Sequence, residues 1–78
     1  MKRRSTSAEY VVCVGNKRYK ASLVIRRIYL LLPDPEAKKR GLLRVVDESG
    51  EDYLFPRDLF EAIDLSRAVE RKLALANS

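Results

Sequence analysis

The stretch Leu42-Leu43-Arg44-Val45-Val46-Asp47-Glu48-Ser49-Gly50-Glu51-Asp52-Tyr53-Leu54-Phe55-Pro56 decides the fold. Two β-favouring runs, Leu42 to Val46 and Asp52 to Phe55, flank a polar stretch in which Gly50 stands where a hairpin turn wants positive φ. This predicts a tight β-hairpin. Pro56 cannot donate to a ladder and ends the second strand. Arg57-Asp58-Leu59 then suits one short helical turn, and Phe60-Glu61-Ala62-Ile63 a short final strand.

Toward the N-terminus, Tyr10 to Val14 is a compact β-like run, and Gly15-Asn16 breaks it with the positive φ of a tight turn. Lys17-Arg18-Tyr19-Lys20-Ala21-Ser22 is polar and reads as a loop. Leu23 to Leu32 is the longest β-like stretch, with Ile28, Leu30 and Leu32 on one face and Tyr29 and Leu31 on the other. Pro33-Asp34-Pro35 stops it. Glu36 to Gly41 completes a loop with one helical turn and Gly41 as its exit. Beyond the last strand, Ser66 suits the N-cap of a helix over 67–76, with Val69, Leu73 and Ala76 at helical spacing. Five short strands with a long first loop predict an all-β chain, a small five-stranded barrel with a short C-terminal helix. Its parts are a disordered basic tail over 1–8, the barrel over 9–64, and the helix and end over 65–78.

The 78 residues allow one domain and a thin core. The chain has no His and a single Cys. That removes the commonest general base and zinc ligand, and any internal disulfide. No nucleophile–base pair or metal set can be written, so no catalytic residue, metal or cofactor is expected. The lone Cys points to a reducing cytoplasm. The basic start lacks an apolar stretch behind it, and apolar runs reach five residues, so neither a signal peptide nor a membrane span is expected. The net charge of +5 is unevenly placed: residues 1–44 carry +9 and residues 45–78 carry −4. Such polarity suits an anionic ligand, an acidic protein or self-association.

The segment from Gly50 to Ile63, with its strand ending in Pro56, one-turn helix and short closing strand, resembles the end of Src-homology-3 barrels. The likeness extends over residues 10–64 and implies a five-stranded Src-homology-3-like barrel. The run through Val12-Cys13-Val14, Ala21-Ser22-Leu23, Ile28-Tyr29 and Tyr53-Leu54-Phe55-Pro56 is also similar to small bacterial and phage proteins of unknown activity. The proline-peptide groove of the eukaryotic domains is carried over at Pro56 alone. Leu59 and Leu42 replace its tyrosine and tryptophan, Val11-Val12-Cys13 replaces its first-strand signature, and Lys17, Arg18 and Lys20 stand where it has acids.

Two candidate surfaces follow. Lys17, Arg18 and Lys20 with Tyr19 between them, and Lys38, Lys39 and Arg40, lie in two loops that the resemblance places beside one groove. Together they suit phosphates and a stacked base, although loop cations also serve simply to keep a small domain soluble. Tyr53, Phe55, Pro56 and Leu59 suit a protein partner if exposed. Asp47, Glu48, Glu51 and Asp52 surround one hairpin with no ion-wrapping spacing. Cys13 is expected to be a buried structural thiol. The expected function is a non-enzymatic interaction module for an unidentified protein, with nucleic-acid binding through the basic loops as the alternative.

Overall fold

A computed structural model of the chain describes residues 9–76, so the expected tail over 1–8 lies outside the described residues. Five strands form one antiparallel sheet: β1 (Glu9–Cys13), β2 (Ile28–Leu32), β3 (Leu42–Val46), β4 (Asp52–Pro56) and β5 (Phe60–Ile63). Helix α1 (Pro35–Lys39) lies between β2 and β3, a 3-10 turn (Arg57–Leu59) between β4 and β5, and helix α2 (Arg67–Ala76) follows β5. The strand order is β4-β3-β2-β1-β5. The two edge strands, β4 and β5, share no ladder, so the sheet is not a closed barrel.

The ladders explain how an open sheet this small encloses a core. β2 pairs with β1 from Ile28 to Leu31 but with β3 only at Leu31 and Leu32, so it passes from one half of the sheet to the other. The halves fold toward each other. Val11 and Cys13 of β1, Tyr29 of β2, Val45 of β3, Phe55 of β4 and Phe60 of β5 meet in one cluster, together with Leu23 from the β1–β2 connection. The Phe55 and Phe60 rings, from the two edges, lie 6.1 Å apart in an edge-to-face arrangement.

The β3–β4 hairpin follows its predicted turn chemistry. Gly50 has φ +86°, its N–H reaches the Asp47 carbonyl at 3.0 Å, and the Asp47 carboxylate accepts from the Ser49 N–H and hydroxyl. Asp47 is buried, and both bonds fall on its Oδ1. α1 begins at Asp34, whose carboxylate accepts the Ala37 N–H at 3.0 Å, and leaves through Gly41 at φ +76°. Ser66 Oγ accepts the Val69 N–H at 3.2 Å, as its N-cap role requires.

Two expectations fail N-terminal to β2. Residues 23–27 are not strand: the Arg27 N–H closes a turn onto the Val24 carbonyl, and Arg26 sits at φ +74°. Leu23 is drawn inward as a core residue, which ends any face-to-face alternation there. The positive φ assigned to Gly15-Asn16 belongs instead to Arg18 and Arg26. Asn16 starts a turn that the Tyr19 N–H closes, and its side-chain amide donates to the Leu23 carbonyl at 2.9 Å.

Candidate functional site

The connection between β1 and β2, residues 14–27, is built from turns held by its own polar groups. The Asn16–Tyr19 and Val24–Arg27 turns each place an arginine third, with the φ pattern of a type II turn. Between them the Tyr19 carbonyl accepts from the N–H groups of Ser22 and Leu23. Several attachments tie this connection to the rest of the fold, beginning with the Arg26 N–H, which donates to the Cys13 carbonyl of β1 at 2.7 Å, and the Arg27 carbonyl, which accepts the Cys13 N–H at 2.9 Å. Leu23 is buried in the core, and the Tyr19 ring stands edge-on to Phe55 at 5.2 Å. The Val14 N–H donates to the Leu59 carbonyl at 2.7 Å, and the Val24 N–H to the Tyr29 hydroxyl at 2.8 Å.

Glu48 joins the connection to the hairpin. Its N–H donates to the Ser22 carbonyl, while its carboxylate accepts from Arg27 Nη1 at 2.9 Å and the Tyr29 hydroxyl at 2.5 Å. Burial, then this carboxylate, pushes the Tyr29 phenol up to about 12. An open recess of about 380 Å³ lies beside this joint, where Ile28–Leu30 and Val46–Glu48 diverge.

Lys17, Arg18 and Lys20 are exposed and, with Arg26, have no acidic partner within 4.0 Å among the described residues. Tyr19 is half-buried, and its contact with Phe55 makes it part of the wall that closes the core. Lys38, Lys39 and Arg40 are exposed on and after α1. They follow Leu32, at the end of β2 away from the 14–27 connection, and Lys39 pairs with Glu36 at 3.6 Å.

The candidate partner residues separate. Phe55, at 2% exposure, is core and offers no surface, a correction to its expected role. Leu59 packs against that core, and Pro56 is half-buried. Tyr53 is 50% exposed beside Leu54, and its hydroxyl donates to Glu51 at 3.1 Å. Tyr53 shares a strand face with Phe55 and stands opposite Val45, two positions nearer the turn than the pair of Phe55 and Leu43. Cys13 is fully buried, its thiol donates to the Gly15 carbonyl at 3.1 Å, and burial raises its pKa. Among the described residues no three His, Cys, Asp or Glu side chains converge as a metal site, and no helix is long and apolar enough to cross a membrane.

Residues that the sequence did not single out are Val24 and Ile25, exposed at 40% and 45% in the same turn as Arg26. Their β-like composition hid them within a presumed strand. A second recess, of about 560 Å³, is lined by Lys38, Arg57, Asp58, Glu9 and Glu61 together with apolar residues of the sheet. Compared with family models, with curated proteins and with solved structures, the chain matches none.

Proposed function

We propose that this chain is a non-enzymatic binding module of Src-homology-3-like design that engages a protein partner. The strand order β4-β3-β2-β1-β5, the long β1–β2 connection and the 3-10 turn before β5 support the barrel-like reading. The observation that carries the binding function is the 14–27 connection. It is rooted in the core by Leu23, yet it turns Val24 and Ile25 outward among cations. Exposed apolar side chains held in place beside a polar rim suit protein recognition. The absence of His from the chain and the burial of Cys13 support a non-catalytic role.

The test is quantitative capture from a lysate of the encoding cells, with wild type, Ile25→Asp and Tyr53→Ala as baits. We expect a set of proteins that wild type retains and Ile25→Asp loses. Identical recovery by all three baits overturns the reading. A second reading, nucleic-acid binding, is favoured by one observation: residues 14–27 hold five cations and no acid. Retention on immobilised DNA or RNA that falls steeply with salt is its expected signature, and no retention at low salt removes it.

A further inference from the structure

We infer that the two arginine turns of the 14–27 connection form a docking surface for an acidic protein segment that also carries aliphatic side chains. This rests on the binding-module reading and names the partner's chemistry. Charge is the first ground. Lys17, Arg18, Lys20, Arg26 and Arg27 share this connection with no acid, and only Arg27 has an acidic partner among the described residues.

Backbone conformation is the second ground. Arg18 and Arg26 are the two non-glycine residues at positive φ among those described, both at 74°. The left-handed region is unfavourable for an ordinary L-residue, and glycine or asparagine relieves it. Both arginines are exposed and pair with no described acid, so their side chains return no such contact to the fold. The Arg26 N–H reaches the Cys13 carbonyl of β1 at 2.7 Å, so it is the side chain alone that is left without a role in the fold, and residues held at such φ cluster at binding sites.

The apolar residues choose between anionic partners. Val24, Ile25 and Ile28 are exposed beside these cations, and they are aliphatic. Phosphates offer such side chains nothing, and bases stack on aromatics. Tyr19, the one aromatic of the connection, is edge-on to Phe55. An acidic segment with aliphatic side chains satisfies both halves of the surface: carboxylates reach the guanidinium forks, and aliphatic groups cover Val24 and Ile25. The bonds from Asn16 to Leu23 and from Val24 to Tyr29 hold the turns in advance, which lowers the ordering cost of binding.

The test is fluorescence anisotropy with the full chain and a labelled short peptide of alternating glutamate and leucine. Comparison probes are a glutamate–serine peptide, a single-stranded DNA and vesicles of anionic phosphatidylglycerol, all in the same buffer. The double variant Arg18→Asn/Arg26→Asn tolerates the left-handed φ but lacks both guanidiniums. We expect its unfolding midpoint to hold or rise while its affinity for the glutamate–leucine peptide falls about tenfold. Ile25→Ser and the glutamate–serine peptide are each expected to lower affinity by about tenfold. Failure of wild type to bind the glutamate–leucine peptide, equal binding by the double variant, or tighter binding of DNA or vesicles overturns the inference. If lysate capture still depends on Ile25 in that event, the binding-module reading stands and only the partner's chemistry falls.

Discussion

At the β3–β4 turn the left-handed residue is Gly50; in the β1–β2 connection the left-handed residues are Arg18 and Arg26. Around the hairpin, acids are matched: Asp47 by Ser49, Glu48 by Arg27 and Tyr29, and Asp52 by Arg44. In the connection, four of five cations lack an acidic partner among the described residues. One region follows the local rules of turn chemistry and charge pairing, whereas the other departs from them while remaining rooted in the same core. On the reading proposed above, that departure marks the part available for binding.

The largest expected effects test whether both regions are anchored alike. Leu23 is fully buried and Phe55 nearly so. Phe55→Ala is expected to cost about 3–5 kcal/mol and Leu23→Ala about 2–5 kcal/mol. In a domain of this size either loss largely unfolds the chain. Urea denaturation followed by circular dichroism checks this. A Leu23→Ala protein as stable as wild type breaks the comparison, because the connection is then an unrooted loop.

Next in size is the joint between the regions. Glu48→Ala removes the acceptor of both Arg27 and Tyr29, at a cost of about 1–3 kcal/mol. It also takes away one cause of the raised Tyr29 pKa, so the phenol should titrate below its present value of about 12 in the variant. Since the folded pKa lies above the ordinary tyrosine value of about 10, the associated stability is full below that pH and is lost toward pH 12. Ultraviolet titration of wild type and Glu48→Ala measures the shift. Superimposable Tyr29 titrations show that the carboxylate does not hold the phenol.

The hairpin, the 3-10 turn, β5 and the start of α2 were legible because their signals are local: Gly50, Pro56 and Ser66 act within a few residues of themselves. Residues 23–27 misled because Leu23-Val24-Ile25 is β-favouring, while burial of Leu23 is decided by residues distant in sequence. Tyr53 and Phe55 share a strand face in the pattern, but only the folding of the sheet buries one and exposes the other. The Arg27–Glu48 pair spans 21 positions, and no spacing rule announces it.

Smaller effects of opposite sign separate the two turn chemistries. No atom lies within 4 Å of a Cβ placed on Gly50, so Gly50→Ala measures the left-handed cost almost alone, about 1 kcal/mol of destabilisation. Arg26→Gly relieves the same strain and is expected to stabilise by up to about 1 kcal/mol. Thermal unfolding of the two variants checks the signs. A destabilised Arg26→Gly shows that the Arg26 side chain supports the fold, and the contrast between the regions weakens.

The smallest effect uses protons to address the paired region alone. Arg44 donates from Nε to Asp34 at 2.8 Å and from Nη1 to Asp52 at 2.9 Å, which ties α1 to the hairpin. The Ala37 N–H and then Arg44 hold the Asp34 carboxyl below the usual range. A depressed carboxylate pKa contributes stability that is present above its unfolded value of about 4 and is lost as pH falls through the folded one. Below about pH 4, α1 should therefore loosen from the hairpin before the 14–27 connection responds, since residues 14–27 hold no acid of their own and Leu23, which roots them in the core, does not titrate. Asp34→Asn keeps an N-cap acceptor but not the charge, so it should retain much of the protection of the Ala37 N–H and remove its acid dependence. Amide exchange at Ala37 and Leu23, read by NMR between neutral and acidic pH, compares the regions directly. Loss of protection at Leu23 before Ala37 shows that the acid-sensitive contact lies in the connection, most directly at Glu48, and reverses the assignment of which region the paired charges stabilise.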